Sequence, residues 1–243
     1  MNKQRVAALI AFLHCCWPLA WSGANVQTSK RDAVILVHGL GRTRFSMKML
    51  EWTLRRKGYW VINIAYPSTR VPVEEAAKDW LAPRVSEVSD AGARVHFVTH
   101  SLGGIVVRQY LKNHRLENPG RVAMLAPPNQ GSELADAFRE SKWYRCATGP
   151  AGQQLGCGAS SLPNTLGPAT FDTGIIAGDR SLNPRFSALI PGCDDGKVSV
   201  QRAALEGMKD FLIVHRSHTW MMWSKEVTQA VGRFLEEGKF AAE

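Results

Sequence analysis

Ser101 is the residue of the sequence that is best placed to act as a nucleophile. It follows an apolar, strand-like segment, Val95–Thr99, and precedes Leu102–His114, whose apolar spacing predicts a helix. A serine hydroxyl becomes an effective nucleophile when a sharp strand-to-helix turn holds it exposed beside a base. Such a turn needs small neighbours. Gly103 supplies one, whereas Thr99 stands where a GxSxG motif has its first glycine. We therefore predict that Ser101 is a nucleophile and not merely the cap of the following helix.

The loop after the first apolar run could supply a second requirement of acyl transfer, hydrogen-bond donors for a developing oxyanion. Val34–Val37 leads into a turn that contains His38 and Leu40, at the carboxyl end of a predicted inner strand. We predict that the backbone amides of Leu40 and Leu102 are these donors. His38 is interpreted as a residue that holds the loop by hydrogen bonding, and His100 as a brace for the Ser101 turn.

A base and an orienting carboxylate are expected later in the chain, in the order nucleophile, acid, histidine. The turn at Asp194, Asp195 and Gly196 offers two adjacent carboxylates. We favour Asp195, because it directly precedes the glycine that allows the turn. Asp194 is the alternative, and Asp179 is a weaker third candidate.

His218 is predicted to be the base, because it lies in the loop beyond the last predicted strand, Phe211–His215. His215 belongs to the strand end and is interpreted as packed. A metal site made of His215 and His218 would lack further ligands nearby. The following segment, Trp220–Trp223, could line an acyl pocket, although its spacing is more typical of core.

Short apolar runs alternate with helical patterns along the chain, which is typical of a mainly parallel sheet covered on both faces. We predict an α/β fold with about six strands in a three-layer αβα arrangement. The predicted strands are Ala33–Val37, Trp60–Ile64, Val95–Thr99, Val122–Leu125, Gly174–Ala177 and Phe211–His215. The predicted helices are Met47–Lys57, Val73–Val88, Leu102–His114, Glu133–Arg139 and Lys225–Glu237.

One segment, Asn129–Phe171, interrupts this alternation, because it is rich in Gly, Pro, Ser and Asn and longer than an ordinary connection. We predict an irregular loop there, which serves either as a surface loop or as a lid or pocket wall that carries Trp143 and Tyr144. Cys146 and Cys157 flank a Gly-rich stretch of it and could form a disulfide that closes the loop.

The first residues have the organisation of a secretory signal, with two cations followed by an apolar stretch, Val6–Ala20, and then small residues. We predict a signal peptide at 1–24 and one domain at 25–243. The protein would then be exported, periplasmic or secreted, and the alternative is an uncleaved N-terminal membrane anchor. Of the three cysteines beyond the signal, Cys193 would be left over from the disulfide, as a small buried residue.

The chain of 243 residues carries a formal charge of +9, and loss of Lys3 and Arg5 with the signal would leave +7. A basic surface favours anionic partners. Nucleic acid is not expected as a partner, because no run of basic residues is interleaved with aromatics. Contact with a membrane surface is left open.

These motifs resemble the α/β-hydrolase superfamily, and within it the small bacterial lipases and serine esterases. The resemblance covers nearly the whole chain and rests on the turn at His38, the Ser101 turn, the Asp195 turn and the His218 loop, in the family's order. It implies a catalytic triad of Ser101, His218 and Asp195 that cleaves carboxylic esters through an acyl-enzyme, with no metal or cofactor. The substrate would be a small-molecule or lipid ester.

The same scaffold carries other activities, so fold resemblance alone leaves the reaction open. An acyltransferase or a thioesterase that uses the same triad is the alternative enzyme. A binding protein without catalysis is the alternative of another class. Substrate, acyl-chain length and oligomeric state do not follow from the sequence.

Overall fold

Six parallel strands form one sheet in the computed structural model, which describes residues 31–241. The strand order is β2-β1-β3-β4-β5-β6, and every neighbouring pair is parallel. The strands are β1 Ala33–Val37, β2 Trp60–Asn63, β3 Val95–His100, β4 Pro119–Leu125, β5 Thr173–Gly178 and β6 Asp210–Val214. Each predicted strand is confirmed, with ends that shift by a few residues.

Residues of one strand alternate between two apolar layers, because successive side chains of a strand point to opposite faces of the sheet. In β1, Ile35 contributes to one buried cluster, whereas Val34 and Leu36 contribute to the other. All five residues of this strand are fully buried. The sheet therefore has a covered face on each side, which confirms the predicted three-layer α/β architecture.

Helices of different parts of the chain cover these two faces. The helices are α1 Lys48–Arg56, α2 Val73–Glu75, α3 Ala82–Asp90, α4 Leu102–Asn113, α5 Glu133–Ala137, α6 Lys142–Gln153, α7 Leu162–Thr165, α8 Pro184–Ser187, α9 Val200–Ala203 and α10 Lys225–Glu237. A π-helical segment, Ala76–Leu81, joins α2 to α3. The apolar sides of α1 and α10 pack on one face of the sheet, and those of α3 and α4 pack on the other.

The segment Asn129–Phe171 contains α5, α6 and α7, so the prediction of an irregular loop beyond residue 139 is wrong. A glycine and a proline, Gly149 and Pro150, kink α6 and obscure its helical pattern in the sequence.

The three cysteines of the described residues are free. Cys146 lies within α6, while Cys157 follows that helix and donates its backbone amide to Asp136 at 2.8 Å. The predicted disulfide between Cys146 and Cys157 is therefore not formed. The prediction assumed a flexible loop between the two thiols, and a helix lies there instead. Cys193 is exposed, and its expected burial is wrong.

The parallel strands all end at one edge of the sheet, where the chain turns at residues 38, 101 and 215. The chain passes from β1 outward to β2 and then returns to β3 on the other side of β1. Such a reversal leaves a crevice at the carboxyl ends of the two adjacent strands. The register pairs Val37 with Thr99, so the loop after β1 and the turn after β3 lie side by side.

The predicted signal peptide lies outside the described residues. Within residues 31–241, none of the helices combines the length and the apolar character that crossing a membrane requires.

Candidate active site

Ser101 lies at the tip of a strained turn between β3 and α4. Its φ of 51° and ψ of −121° are a conformation that residues with a side chain rarely adopt. The turn is held by hydrogen bonds from the Ser101 amide to Leu125 O at 2.8 Å and from the Gly104 amide to Ser101 O at 2.9 Å. Strain of this kind persists only where the surroundings enforce it, and it is typical of functional sites.

Glycines allow the turn to pack tightly. A Cβ at Gly103 would lie 2.3 Å from Val37 O, so only glycine lets α4 approach β1 this closely. A Cβ at Gly104 would lie 3.3 Å from Thr99 Oγ1. The space that the hydroxyl of Thr99 needs is thus provided by a glycine on the helix, which explains how the turn tolerates a threonine at that position.

The loop that carries Leu40 lies against the Ser101 turn, because a Cβ at Gly39 would be only 3.1 Å from Ser101 Cβ. Among residues 31–241, the backbone amides of Leu40 and Leu102 have no hydrogen-bond acceptor. Leu102 is also the first residue of α4, where the helix dipole favours negative charge. Both predicted oxyanion donors therefore lie close to Ser101 in the fold and are unpaired among the described residues.

His38 and His100 brace these two turns. His38 is buried and stacked on Tyr66 with ring centroids 4.4 Å apart, while the Tyr66 hydroxyl donates to His38 O at 2.8 Å. His100 Nε2 lies 3.0 Å from His218 O, and the carbonyl as acceptor means that this nitrogen carries the proton. Burial lowers the pKa of both imidazoles, so each stays neutral and acts as a structural hydrogen-bonding group.

Asp195 holds His218 in a buried hydrogen bond. His218 Nδ1 and Asp195 Oδ2 are 2.8 Å apart, and the two side chains are 5% and 1% exposed. The other carboxylate oxygen accepts the amides of Lys197 and Val198, each at 2.9 Å. The backbone reinforces the pair, since the His218 amide donates to Asp195 O at 3.0 Å. Both the imidazole and its partner are thus fixed in orientation.

The other two candidate carboxylates have different partners. Asp194 Oδ1 accepts the Ser187 hydroxyl at 2.9 Å and the Gly196 amide at 2.7 Å, which stabilises the turn. Asp179 pairs with His215 at 2.9 Å, and the His215 side chain is 72% exposed. The interpretation of His215 as packed is therefore wrong, because it lies just past the end of β6.

Ser101 and His218 line the same cavity, although no hydrogen bond joins their side chains in the part of the chain that the structure describes. Nucleophile and base are often further apart in a free enzyme than in its substrate complex. The cavity has a volume of about 220 Å³. It opens at the sheet edge described above.

An aromatic cluster forms one wall of the cavity. Phe138 contacts Trp143, Tyr144 and Phe186, with ring centroids 5.3 to 6.1 Å apart. These rings come from α6, α8 and the end of α5. Of the two roles predicted for Trp143 and Tyr144, the pocket wall is confirmed.

Phe138 and Phe186 of this wall were not predicted from the sequence, and neither were two cations of the cavity, Arg42 and Lys197. Each cation lies two residues beyond a residue that the sequence analysis singled out, Leu40 or Asp195. Their positions in the loops that carry Leu40 and Asp195 could have indicated that both cations lie near the site. The two phenylalanines had no such signal, because their contacts are made only in the folded chain.

The segment after His218 does not line the cavity. Met221 and Met222 are fully buried in the cluster beneath α1 and α10, whereas Trp220 and Trp223 are 59% and 47% exposed. The described residues also contain no group of three potential metal ligands.

Comparison with known proteins gives a consistent result. A model described as "Alpha/beta hydrolase family" matches residues 34–234. A search of curated proteins gave no match. The mature Bacillus licheniformis lipase BlEst2 is similar in structure, with a TM-score of 0.65 and 19% identity over 87% of this chain and 93% of the lipase.

Two further structures share the fold at low identity. Phospholipase PlaB from Legionella pneumophila has a TM-score of 0.64 and 19% identity, over 76% of this chain and 53% of that chain. A monoacylglycerol lipase from Paleococcus ferrophilus has a TM-score of 0.55 and 18% identity, over 86% of this chain and 96% of that chain.

Proposed function

Because the chain belongs to the alpha/beta hydrolase family, we propose that it hydrolyses carboxylic esters through an acyl-enzyme on Ser101. The observation that carries the proposal is the buried hydrogen bond between His218 and Asp195 at the cavity into which Ser101 faces. A neutral imidazole held at Nδ1 by a carboxylate presents Nε2 as a base.

The proposed reaction has two halves. His218 Nε2 takes the proton of Ser101 Oγ as the oxygen attacks the ester carbonyl, and then gives that proton to the departing alcohol. Water activated by the same imidazole releases the acid from the acyl-enzyme. The amides of Leu40 and Leu102 would stabilise the oxyanion in both halves, and loss of one such donor typically costs about 3 kcal/mol of transition-state stabilisation.

The aromatic wall favours an ester with an apolar acyl part. Phe138, Trp143, Tyr144 and Phe186 present rings to the cavity, and apolar surface in a pocket binds acyl chains by excluding water. The names of the similar structures, a lipase, a phospholipase and a monoacylglycerol lipase, point to the same substrate class.

The test is hydrolysis of p-nitrophenyl esters from short to long acyl chains by protein that begins at Asn25. Ser101→Ala should lower kcat by at least roughly 10⁴-fold and leave the fold unchanged, because it removes the oxygen that attacks the ester carbonyl. Ser86→Ala, which changes an exposed serine of α3, is the matched control and should retain full activity. Turnover that survives in Ser101→Ala would contradict the mechanism.

The same assay separates hydrolysis from transfer. With an acceptor alcohol present, a hydrolase releases the free acid as its main product, whereas an acyltransferase forms the new ester. Folded wild-type protein that turns over no oxygen ester or thioester would support the binding-protein alternative.

We also propose contact with an anionic membrane surface, on a face that carries Phe45, Trp52, Trp220 and Trp223, each 47% to 62% exposed. The elements that hold Phe45 and Trp52 pack beside Met221–Trp223. Between residues 44 and 57 the chain has five cations and one acid, Glu51, which is buried and paired. Tryptophan and basic residues are the groups that favour a lipid interface.

Vesicle sedimentation tests this contact without relying on catalysis. Binding to vesicles with anionic lipid should exceed binding to zwitterionic vesicles and should fall when Trp52 and Trp220 are both changed to alanine. Equal binding of the double variant and the wild type would refute it.

A further inference from the structure

Two cations face the catalytic cavity without a carboxylate to neutralise them. Arg42 belongs to the loop after β1, and Lys197 follows Asp195 at a distance of two residues; both line the cavity that contains Ser101. In the described part of the chain, neither side chain has an acidic group within ion-pair distance. The carboxylate nearest in sequence, Asp195, is occupied by His218 and two backbone amides.

Lys197 is exposed and Arg42 is half-buried, so both side chains are accessible to an anion in the cavity. The surrounding protein desolvates the ammonium group and lowers the pKa of Lys197, the Arg42 guanidinium lowers it further, and Asp195 opposes the effect. Arg42 is therefore close enough to Lys197 for repulsion between the two charges. Several other cations of residues 31–241 are instead held in ion pairs, such as Arg202 with Glu133 at 2.6 Å.

The cations come from other segments than the aromatic wall. Arg42 and Lys197 follow the loops at the strand ends, whereas the rings belong to α6, α8 and the end of α5. The cavity thus offers apolar surface from one set of elements and positive charge from another. An ester with an acyl chain and an anionic group matches both.

We propose that Arg42 and Lys197 form an anion subsite beside Ser101 that selects esters with a phosphate group on the alcohol part. Two adjacent cations match the double charge of a phosphate monoester, and the arginine fork and the lysine ammonium both donate charge-assisted hydrogen bonds to phosphate oxygens. This inference rests on the proposed ester hydrolysis and names the substrate class of that site.

The test compares two esters that differ only in the phosphate, 1-lauroylglycerol and 1-lauroylglycerol 3-phosphate, below their aggregation concentrations. Lys197→Gln and Arg42→Gln should each lower kcat/KM for the phosphate ester by roughly 10- to 150-fold, the range for a lost hydrogen bond to a charged group. In both variants the value for the neutral ester should fall much less than the value for the phosphate ester, because the neutral ester has no anionic group for the two cations to bind.

Two further variants complete the experiment. Lys197→Arg should retain most of the preference for phosphate, since it preserves the charge, and Lys78→Gln, an exposed lysine on the π-helical segment, should change neither ester. Equal losses on both esters in Lys197→Gln and Arg42→Gln would overturn the anion subsite and leave ester hydrolysis standing. A wild type that hydrolyses neither lauroyl ester nor any p-nitrophenyl ester would overturn both proposals.

Discussion

The two histidines that follow β6, His215 and His218, each pair with an aspartate at nearly the same distance, but the two pairs differ in burial and in their other contacts. His218 and Asp195 are 2.8 Å apart and buried, whereas His215 and Asp179 are 2.9 Å apart with side chains 72% and 34% exposed. His218 lines the cavity of Ser101 and His215 does not, and of the two carboxylates only Asp195 also receives two backbone amides. Distance between the partners therefore does not distinguish a candidate catalytic pair from a surface pair.

Burial and hydrogen bonds from the backbone distinguish the two pairs. In water an ion pair is weakened by solvent and by the mobility of the side chains, so an exposed pair contributes little. Around His218 the backbone fixes both partners, and a fixed imidazole can stabilise a charge that develops on it without first reorganising. The same Asp→Asn substitution in each pair should therefore have different effects.

The largest expected effect is that of Asp195→Asn. The amide cannot stabilise the imidazolium of His218 and favours the wrong tautomer, so kcat should fall by roughly 10³- to 10⁴-fold. Asp179→Asn makes the same chemical change in the exposed pair and should leave kcat within about twofold. Rates on a short p-nitrophenyl ester measure both.

A similar loss in the two variants would show that the exposed pair takes part in the reaction. Thermal unfolding of both variants provides the control, because a fall in rate that follows a fall in Tm would indicate loss of fold rather than loss of catalysis.

A third pair, His96 with Asp32, extends the comparison to the amino-terminal half of β3. The His96 ring is buried, with Nε2 3.4 Å from Asp32 Oδ2, and its Nδ1 accepts the Arg121 amide at 3.0 Å. Burial lowers the pKa of His96 from 6.5 to about 4, and the Asp32 carboxylate only partly opposes this effect. This pair is therefore expected to act on stability and not on turnover.

The sign of the pH effect follows from linkage. Above pH 6.5 neither the folded nor the unfolded chain protonates His96, whereas between pH 6.5 and 4 the unfolded chain binds a proton that the folded chain does not. His96 should thus lower the free energy of unfolding by about 3 kcal/mol as the pH falls from 7.5 to 4. Urea unfolding of the wild type and His96→Gln should show a gap that narrows toward acid pH. Parallel curves would contradict the prediction.

The sequence allowed the strands, the helices α1, α4 and α10 and the turns of the site to be predicted, because these depend on local spacing, whereas α6 was missed. Each predicted strand is present, and His218 contacts the carboxylate that the turn glycine favoured, Asp195. The sequence did not show that His215 would be exposed or that Asp179 would pair with it, since both depend on how far β6 extends. The aromatic wall also escaped prediction, because its rings meet only after α5, α6 and α8 have packed.

A smaller effect is expected for Asp194→Ala, which changes the carboxylate next to Asp195. Its loss leaves the Gly196 amide and the Ser187 hydroxyl without their acceptor, so the free energy of unfolding should fall by about 1 to 3 kcal/mol. The rate of the folded variant should fall less than that of Asp195→Ala, because the contact with His218 remains. The opposite ranking of the two rates would assign the orienting role to Asp194.

The smallest effect is expected for Trp143→Ala, which is compared with the same change at Trp52, a tryptophan of nearly equal exposure. Trp143 and Trp52 are 58% and 60% exposed, but Trp143 lines the cavity and contacts Phe138, whereas Trp52 lies on α1 beneath the guanidinium of Arg56. Trp143→Ala should lower kcat/KM for long acyl chains by roughly 2- to 10-fold relative to short ones, since part of the apolar wall is lost. Trp52→Ala should leave the acyl-chain profile of soluble esters unchanged. An equal shift of the acyl-chain profile in Trp52→Ala and Trp143→Ala would contradict binding of the acyl chain by the aromatic wall. Trp52 lies outside the cavity and should not affect the preference for chain length.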